Sequence, residues 1–268
     1  MAPLLSTRPG TGAWAERRRR VRELLDRYPF ATSMLKLYAG LLDAQERAFA
    51  LALEDQPAPD EVARYVAERV LASIVEETVA GAPPALAEAS RIRFAAGGLE
   101  ALVGDWLAGE IQPAVDTYLA RAAAGPVLEA LGRAAGQACR GPRDAGHCPT
   151  CGGRPQVSCL ADSGESLVTV PRYLVCCRCS TRWIHERMAC PACGERSTAK
   201  LPIYSDGAEL PHIRAEACET CRQYVLTVDL RKDAGGVPLV DELAALPLDL
   251  HVQERGFTKI VPNLMGIG

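Results

Sequence analysis

The stretch "CCRCSTRWIHERMACPAC", residues 176–193, sets two Cys-x-x-Cys pairs side by side, with a tryptophan and three arginines among them. Whether these four thiols share one ion, or each pair finds its partner elsewhere, decides the architecture. Two further pairs flank the stretch, Cys148/Cys151 before it and Cys218/Cys221 after it. Moving from 148 to 190, 151 to 193, 176 to 218 and 179 to 221 is the same step of 42 each time. The first and third pairs share their wording, "CPTCGG" against "CPACGE", and Arg172 and Arg214 obey the same step. An internal duplication explains this order.

The chemistry of one copy is simple. A Cys-Pro-x-Cys-Gly turn points two thiolates at one spot while backbone N–H groups face the sulfurs. The glycine after the second cysteine, Gly152 or Gly194, permits a left-handed backbone there. Two such knuckles complete a tetrahedral S4 site for iron or zinc. Each copy must be self-sufficient, so the duplication pairs Cys148, Cys151, Cys176 and Cys179 in one site. Cys190, Cys193, Cys218 and Cys221 form the other, and "STRWIHERMA" bridges two modules. Such ions can act in redox chemistry or simply staple small sheets that lack a core.

Cys139, Cys159 and Cys177 read as small buried residues. Cys177 could replace Cys176 as a ligand, but the 42-residue symmetry favours Cys176. His147, His185, His212 and His251 read as core or surface residues, since eight cysteines already fill two sites.

Outward from the knuckles the chain divides by period. The first 12 of its 268 residues, "MAPLLSTRPGTG", read as a loose tail, and residues 13–140 as a helical domain of five to seven helices. Leu35, Tyr38, Leu42, Phe49 and Leu53 recur at helical steps with Gln45 as a polar break, and Val62, Val66, Val70 and Ile74 recur every fourth residue. Asp60 suits an N-cap, Gly81 a C-cap and Pro126 a first helical turn. Residues 146–187 and 188–230 hold the two modules, with "ESLVTVPRYLVC" and "CRQYVLTVDL" as strands. Residues 231–268 form a C-terminal helix and an apolar tail, whose Ile260, Val261, Leu264 and Ile267 call for packing back onto the body. The fold class is therefore α+β: an all-α domain followed by two tandem rubredoxin-like, or zinc-ribbon-like, modules.

The charge of −3 and pI near 5.9 give no general attraction to nucleic acid or anionic membrane. No apolar run reaches the ~20 residues of a membrane span. The basic run Arg17–Arg20 leads into "VRELLDRYPF", too charged for an export signal, and reads as a solvated helix face on a cytoplasmic chain. Eleven cysteines without such a signal point to metal or redox chemistry rather than disulfides. Arg178, Arg182 and Arg187 lie beside or between the ligands, where they offset thiolate charge or hold an acidic partner; Trp183 suits a partner surface or packing on the bundle.

The knuckle "CPTCGG", the run "RYLVCCRCSTRWIHERMACPACG" and "AEACETCRQYV" resemble the formate dehydrogenase accessory protein family, FdhE. The likeness is carried by Arg172, Tyr173, Leu174, Cys176, Cys179, Trp183, Arg187, Cys190 and Cys193, then by Ala215, Glu216, Cys218, Cys221 and Tyr224. The doublet Cys176–Cys177 departs from the pattern. The resemblance implies a non-enzymatic cytoplasmic maturation factor for respiratory formate dehydrogenase. It implies iron in the two cysteine sites, contact with the client's catalytic subunit and compatibility with a homodimer. Two other readings stand beside it: zinc ribbons that bind nucleic acid through Arg178, Arg182, Trp183 and Arg187, and a rubredoxin-like electron carrier.

Overall fold

The computed structural model describes residues 12–161, 170–207 and 209–266. Its first half is helical: α1 (Gly12–Arg27), α2 (Thr32–Asp55), α3 (Val62–Arg69), α4 (Leu71–Gly81), α5 (Pro84–Ala95), α6 (Leu99–Ala108), α7 (Ala114–Leu131) and the single-turn α8 (Ala135–Ala138). The expected tail lies outside the described residues as far as position 11, and Gly12 opens α1. Leu35, Tyr38, Leu42 and Phe49 are buried along α2, whereas Leu53, at its end, stays partly exposed. Val62, Val66, Val70 and Ile74 are all buried, but Val70, at φ −120°, breaks the run into α3 and α4. Burying side chains of this size contributes about 1.5–3 kcal/mol each. Asp60 sits inside a short 3-10 turn (Pro59–Glu61) and makes no capping bond.

Pro126 is not in a first turn; it lies deep inside α7. A proline there cannot donate to the carbonyl four residues back, which is that of Ala122. Gln45 supplies the missing donor: its Nε2 lies 3.0 Å from the Ala122 oxygen. The polar break in the α2 stripe thus serves the α7 backbone, and the helix continues through its proline.

The basic run of α1 is only half solvated. Arg17 is buried and gives both Glu129 oxygens a bond of 2.9 Å. Arg20 is buried too, bonded to Asp241 and, at 2.7 Å, to Asp233. Arg17, Arg20, Val21 and Leu24 fall on one helical face, which the charges of the run conceal. Arg18 and Arg19 face outward, 2.7 Å from Asp43 and 2.5 Å from Glu23.

The second half forms one sheet of β1 (Pro155–Leu160), β2 (Arg172–Cys176), β3 (Arg182–His185), β4 (Ile203–Tyr204), β5 (Ile213–Ala217), β6 (Gln223–Asp229) and β7 (Thr258–Lys259). The strand order is β3-β2-β1-β6-β5-β4, with β7 also on β6. Residues 165–169 of the expected first strand lie outside the described residues, and β2 begins at Arg172. The step of 42 carries β2 onto β5 and β3 onto β6, so each copy is an antiparallel three-stranded meander. The copies join head to tail: β1 of the first runs parallel to β6 of the second, from Val157↔Leu226 to Leu160↔Asp229. The central strand β1 is buried at every position, its polar Gln156 and Ser158 included, because both of its faces are covered.

Helices α9 (Pro238–Ala244) and α10 (Leu246–Gln253) then pack against the body, and the final stretch returns as β7 with Ile260 buried. Ile267 lies outside the described residues. A buried polar chain ties the parts together. Tyr224 donates to Asp249 at 2.7 Å, and Lys259 lies 3.1 Å from Asp249 and 3.5 Å from Glu242. Gln156 donates to Glu242, and Arg121 of α7 donates to Gln156 and, at 2.6 Å, to the Pro262 carbonyl. The architecture is α+β, a helical domain followed by two tandem ribbon modules. No helix among the described residues is long and apolar enough to cross a membrane.

Candidate metal centres

In the first module, the loop between α8 and β1 presents Cys148 and Cys151, and the turn from β2 to β3 presents Cys176 and Cys179. The Sγ atoms of Cys148 and Cys179 stand 3.6 Å apart, those of Cys151 and Cys176 3.3 Å. In the second module Cys190–Cys221 measures 3.7 Å and Cys193–Cys218 3.6 Å. Within each set of four, all sulfurs lie inside 4.8 Å of one another. A tetrahedron of metal–sulfur bonds of about 2.3 Å has edges of about 3.8 Å, so the donor sets fit one ion each. The two pairs of residues 176–193 therefore face different centres.

The backbone repeats as faithfully as the sulfurs. The Cys148 N–H donates to the Gly153 carbonyl at 2.8 Å, and the Cys190 N–H to that of Glu195 at 2.8 Å. Gly152 and Gly194 adopt φ +72° and +77°. At the second knuckle of each copy the same left-handed turn falls on Ser180 (φ +55°) and Arg222 (φ +56°), again 42 residues apart. These two strained positions carry no glycine, so sequence reading misses them. Gly153 is a further requirement: a Cβ there would meet the Cys176 sulfur at 2.7 Å. Backbone N–H groups approach the sulfurs as a knuckle demands, Arg178 to Cys176 at 3.3 Å and Ala192 to Cys190 at 3.4 Å.

Four thiols this close resist ionising together without a cation. Hydrogen bonding from Cys151 holds Cys148 far below the usual thiol range, while burial first of all pushes Cys176 far above it. A divalent ion resolves this conflict by accepting four thiolates at once.

The centres differ in depth. All four cysteines of the first are buried, whereas in the second Cys193 is exposed and Cys221 half-buried. The helical domain makes the difference. Arg178, expected to face a partner, turns inward: its guanidinium donates to the carbonyls of Arg140 at 2.8 Å and Trp106 at 3.2 Å and sits over the Trp106 ring. Trp183 is buried, with Nε1 donating to the Ala145 carbonyl at 3.2 Å. Arg178 thus ties the first module to the helices, and Trp183 ties it to the linker that follows them. Arg182 and Arg187 are exposed.

Cys139 is buried beside Cys151, which lowers its pKa; Cys159 is buried in β1, and burial raises its pKa. Cys177 N–H donates to the Arg154 carbonyl at 3.0 Å, and its side chain lies beside that of Cys176, where both line a cavity of about 70 Å³ between α7 and the sheet. His212 is buried 2.9 Å from Asp241, outside both centres.

The family profile described as "FdhE, C-terminal domain" matches residues 188–265. Among curated proteins, the "Protein FdhE homolog" of Aquifex aeolicus is 38% identical over 120 residues, 45% of this chain and 41% of that protein. That of Pseudomonas aeruginosa is 36% identical over 121 residues, 44% of this chain and 38% of that protein. The matched stretches thus span about two fifths of these relatives' own length. "The crystal structure of the FdhE protein from Pseudomonas aeruginosa" superposes with a TM-score of 0.70 at 25% identity, covering 99% of both chains. With two four-cysteine knuckle sets on a helical domain, the chain thus resembles the FdhE proteins, sharing their C-terminal domain over residues 188–265 and their fold across the chain.

Proposed function

We propose that the chain is an accessory factor for respiratory formate dehydrogenase, which binds that enzyme's catalytic subunit in the cytoplasm and carries an iron ion in each cysteine set. The likeness to FdhE proteins supports the client, and the paired S4 donor sets support the ions. The observation that carries the reading is the joint presence of both sets on a fold that matches an FdhE structure from end to end. Cys148, Cys151, Cys176 and Cys179 would hold one ion, and Cys190, Cys193, Cys218 and Cys221 the other. An S4-bound iron supplies one-electron chemistry and a cross-link between strands.

The chain's own residues do the rest. The inner set fastens the helical domain to the sheet, with Arg178 and Trp183 sealing it. The outer set stands at the surface, where a client can approach it. The protein acts by binding, and no residue is assigned a catalytic role.

The test is a deletion strain assayed for formate dehydrogenase activity, with co-purification of the catalytic subunit from the complemented strain. Lost activity and a recovered complex are expected; normal activity in the deletion strain would refute the reading. Elemental analysis of anaerobically purified protein should give two iron ions per chain, and two zinc ions would replace iron with a structural metal.

A further inference from the structure

The duplication supplies an internal template for a strand edge. In the second copy the outer edge of β6 is fully used. Its Arg222 carbonyl accepts from the Thr258 N–H at 2.9 Å, and its Tyr224 carbonyl from the Ile260 N–H at 2.9 Å. Beyond them Leu226 and its successors pair with β1, again in parallel. A step of 42 back, β6 becomes β3, which ends the sheet.

The register shows which groups of β3 face outward. The Cys176 N–H donates to the Thr181 carbonyl at 3.0 Å, so Thr181, Trp183 and His185 turn their backbones toward β2. Arg182 and Ile184, the counterparts of Tyr224 and Leu226, turn theirs to the open side. Among the described residues no strand lies beyond them. An uncovered edge of this kind is a template for another chain.

The side chains beside the edge describe what it takes. Ile184 is 56% exposed and Met188 52%, unusual for large apolar residues. Arg182 and Arg187 are exposed, and no carboxylate among the described residues lies within ion-pair reach of either. Glu186, the nearest acid in sequence, is engaged 2.8 Å from Arg196.

We propose that β3 is a strand-acceptor edge, which takes an extended, acidic and apolar segment of a partner protein in parallel, as β6 takes β1 and β7. A second copy of this chain is a poor occupant. The complementary edge is β4, the counterpart of β1, and it has 2 residues where β1 has 6. A contact through it would also be heterologous, without the self-complementary two-fold symmetry of most dimers.

The inference rests on the accessory reading for the partner's identity, and the experiment separates the two. Full-length wild type, Ile184→Pro and the doubly substituted Arg182→Glu, Arg187→Glu chain are titrated with purified formate dehydrogenase catalytic subunit. Proline at 184 deletes an outward N–H and leaves the β2 ladder intact, so metal content and melting temperature should stay at wild-type values. A loss of at least tenfold in affinity for both variants, with a photo-crosslinker at position 184 capturing the subunit and one at Ile203 of β4 not doing so, is expected. Wild-type affinity in Ile184→Pro, or no crosslink from position 184 in a complex that forms, would overturn the edge and spare the accessory reading. Failure of the wild type to bind would overturn both, and a concentration-dependent dimer abolished by Ile184→Pro would replace the partner segment with a second copy. Should Ile184→Pro lose metal, the charge-reversed chain and the crosslinks decide alone.

Discussion

Arg172, on β2 of the first copy, reaches Glu216, on β5 of the second, at 2.7 Å. The guanidinium is 2% exposed and also donates to Ser158 Oγ at 2.9 Å and to the Ala189 carbonyl at 3.0 Å. Arg214, its counterpart in the repeat, holds the other oxygen of Glu216 at 2.7 Å. One carboxylate therefore receives both repeat-related arginines, one from within the join and one from its rim. Removing a partner from a buried ion pair costs about 3–5 kcal/mol, whereas an exposed pair contributes about 0–1. Arg172→Met should lower the unfolding free energy in urea by about 3 kcal/mol, and Arg214→Met by less than about 1 kcal/mol.

The two centres should part company under chelation. Cys193 is exposed while every sulfur of the inner set is buried. A chelator with a thiol-specific label should remove one ion quickly, modifying Cys193 and Cys221 first, and release the second only on unfolding. Metal counts and mass-mapped labels through the time course check this. Simultaneous loss of both ions would show that the difference in depth has no kinetic consequence.

Gln45 and Pro126 should be coupled, although they never touch through a shared bond. Gln45→Ala leaves the buried Ala122 carbonyl without a donor, at about 1–3 kcal/mol. Pro126→Ala restores an N–H in α7 for that same carbonyl. In a double-mutant cycle, the Gln45→Ala cost should shrink by at least half in the Pro126→Ala background.

Glu242 makes stability depend on pH in an uncommon direction. Burial above all lifts its carboxyl from 4.5 to about 7. Between those values the folded chain keeps a proton that the unfolded chain releases. The contribution is complete below about pH 4.5 and is lost as pH rises through about 7. At about 1.4 kcal/mol per unit this amounts to ~3 kcal/mol. Glu242→Gln should flatten the decline in unfolding free energy between pH 5.5 and 8, measured by urea titration at each pH.

At the second knuckles, Ser180→Gly should relieve a left-handed residue with β-carbon strain and raise stability by about 1 kcal/mol. Arg222→Gly should gain less, because Arg222 also stacks on the Phe257 ring, 3.9 Å from its centre, and bonds the Arg255 carbonyl. Thermal melts of both variants decide it.

What could be read from residues alone was local or periodic. The pairing of Cys148 with Cys179 and of Cys190 with Cys221 follows from a repeat that subtraction reveals, and the helical stripes follow from spacing. What stayed hidden depends on contacts distant in sequence. Nothing near Pro126 announces that Gln45 will serve its helix, so the proline reads as a helix start. Arg17 and Arg20 look solvated because the buried acids that hold them, Glu129 and Asp241, lie more than a hundred residues away. Arg178 sits among ligands, yet its direction is set by carbonyls of the helical domain. The parallel join of β1 to β6 leaves no mark in either copy, since each meander is complete without it.

Enclosure of the inner thiols also imposes a timetable on the chain's own birth. Synthesis delivers the helices first and the knuckles afterwards, yet the link through Cys139 to Arg143 lies over the inner set, with Arg143 bonded to the Thr150 carbonyl. An ion bound there would have to be captured while that covering still stands open, and would then be enclosed by it. One bound at the outer set would stay open to exchange, so a cell short of metal would empty the old molecules of one ion and starve the new ones of both.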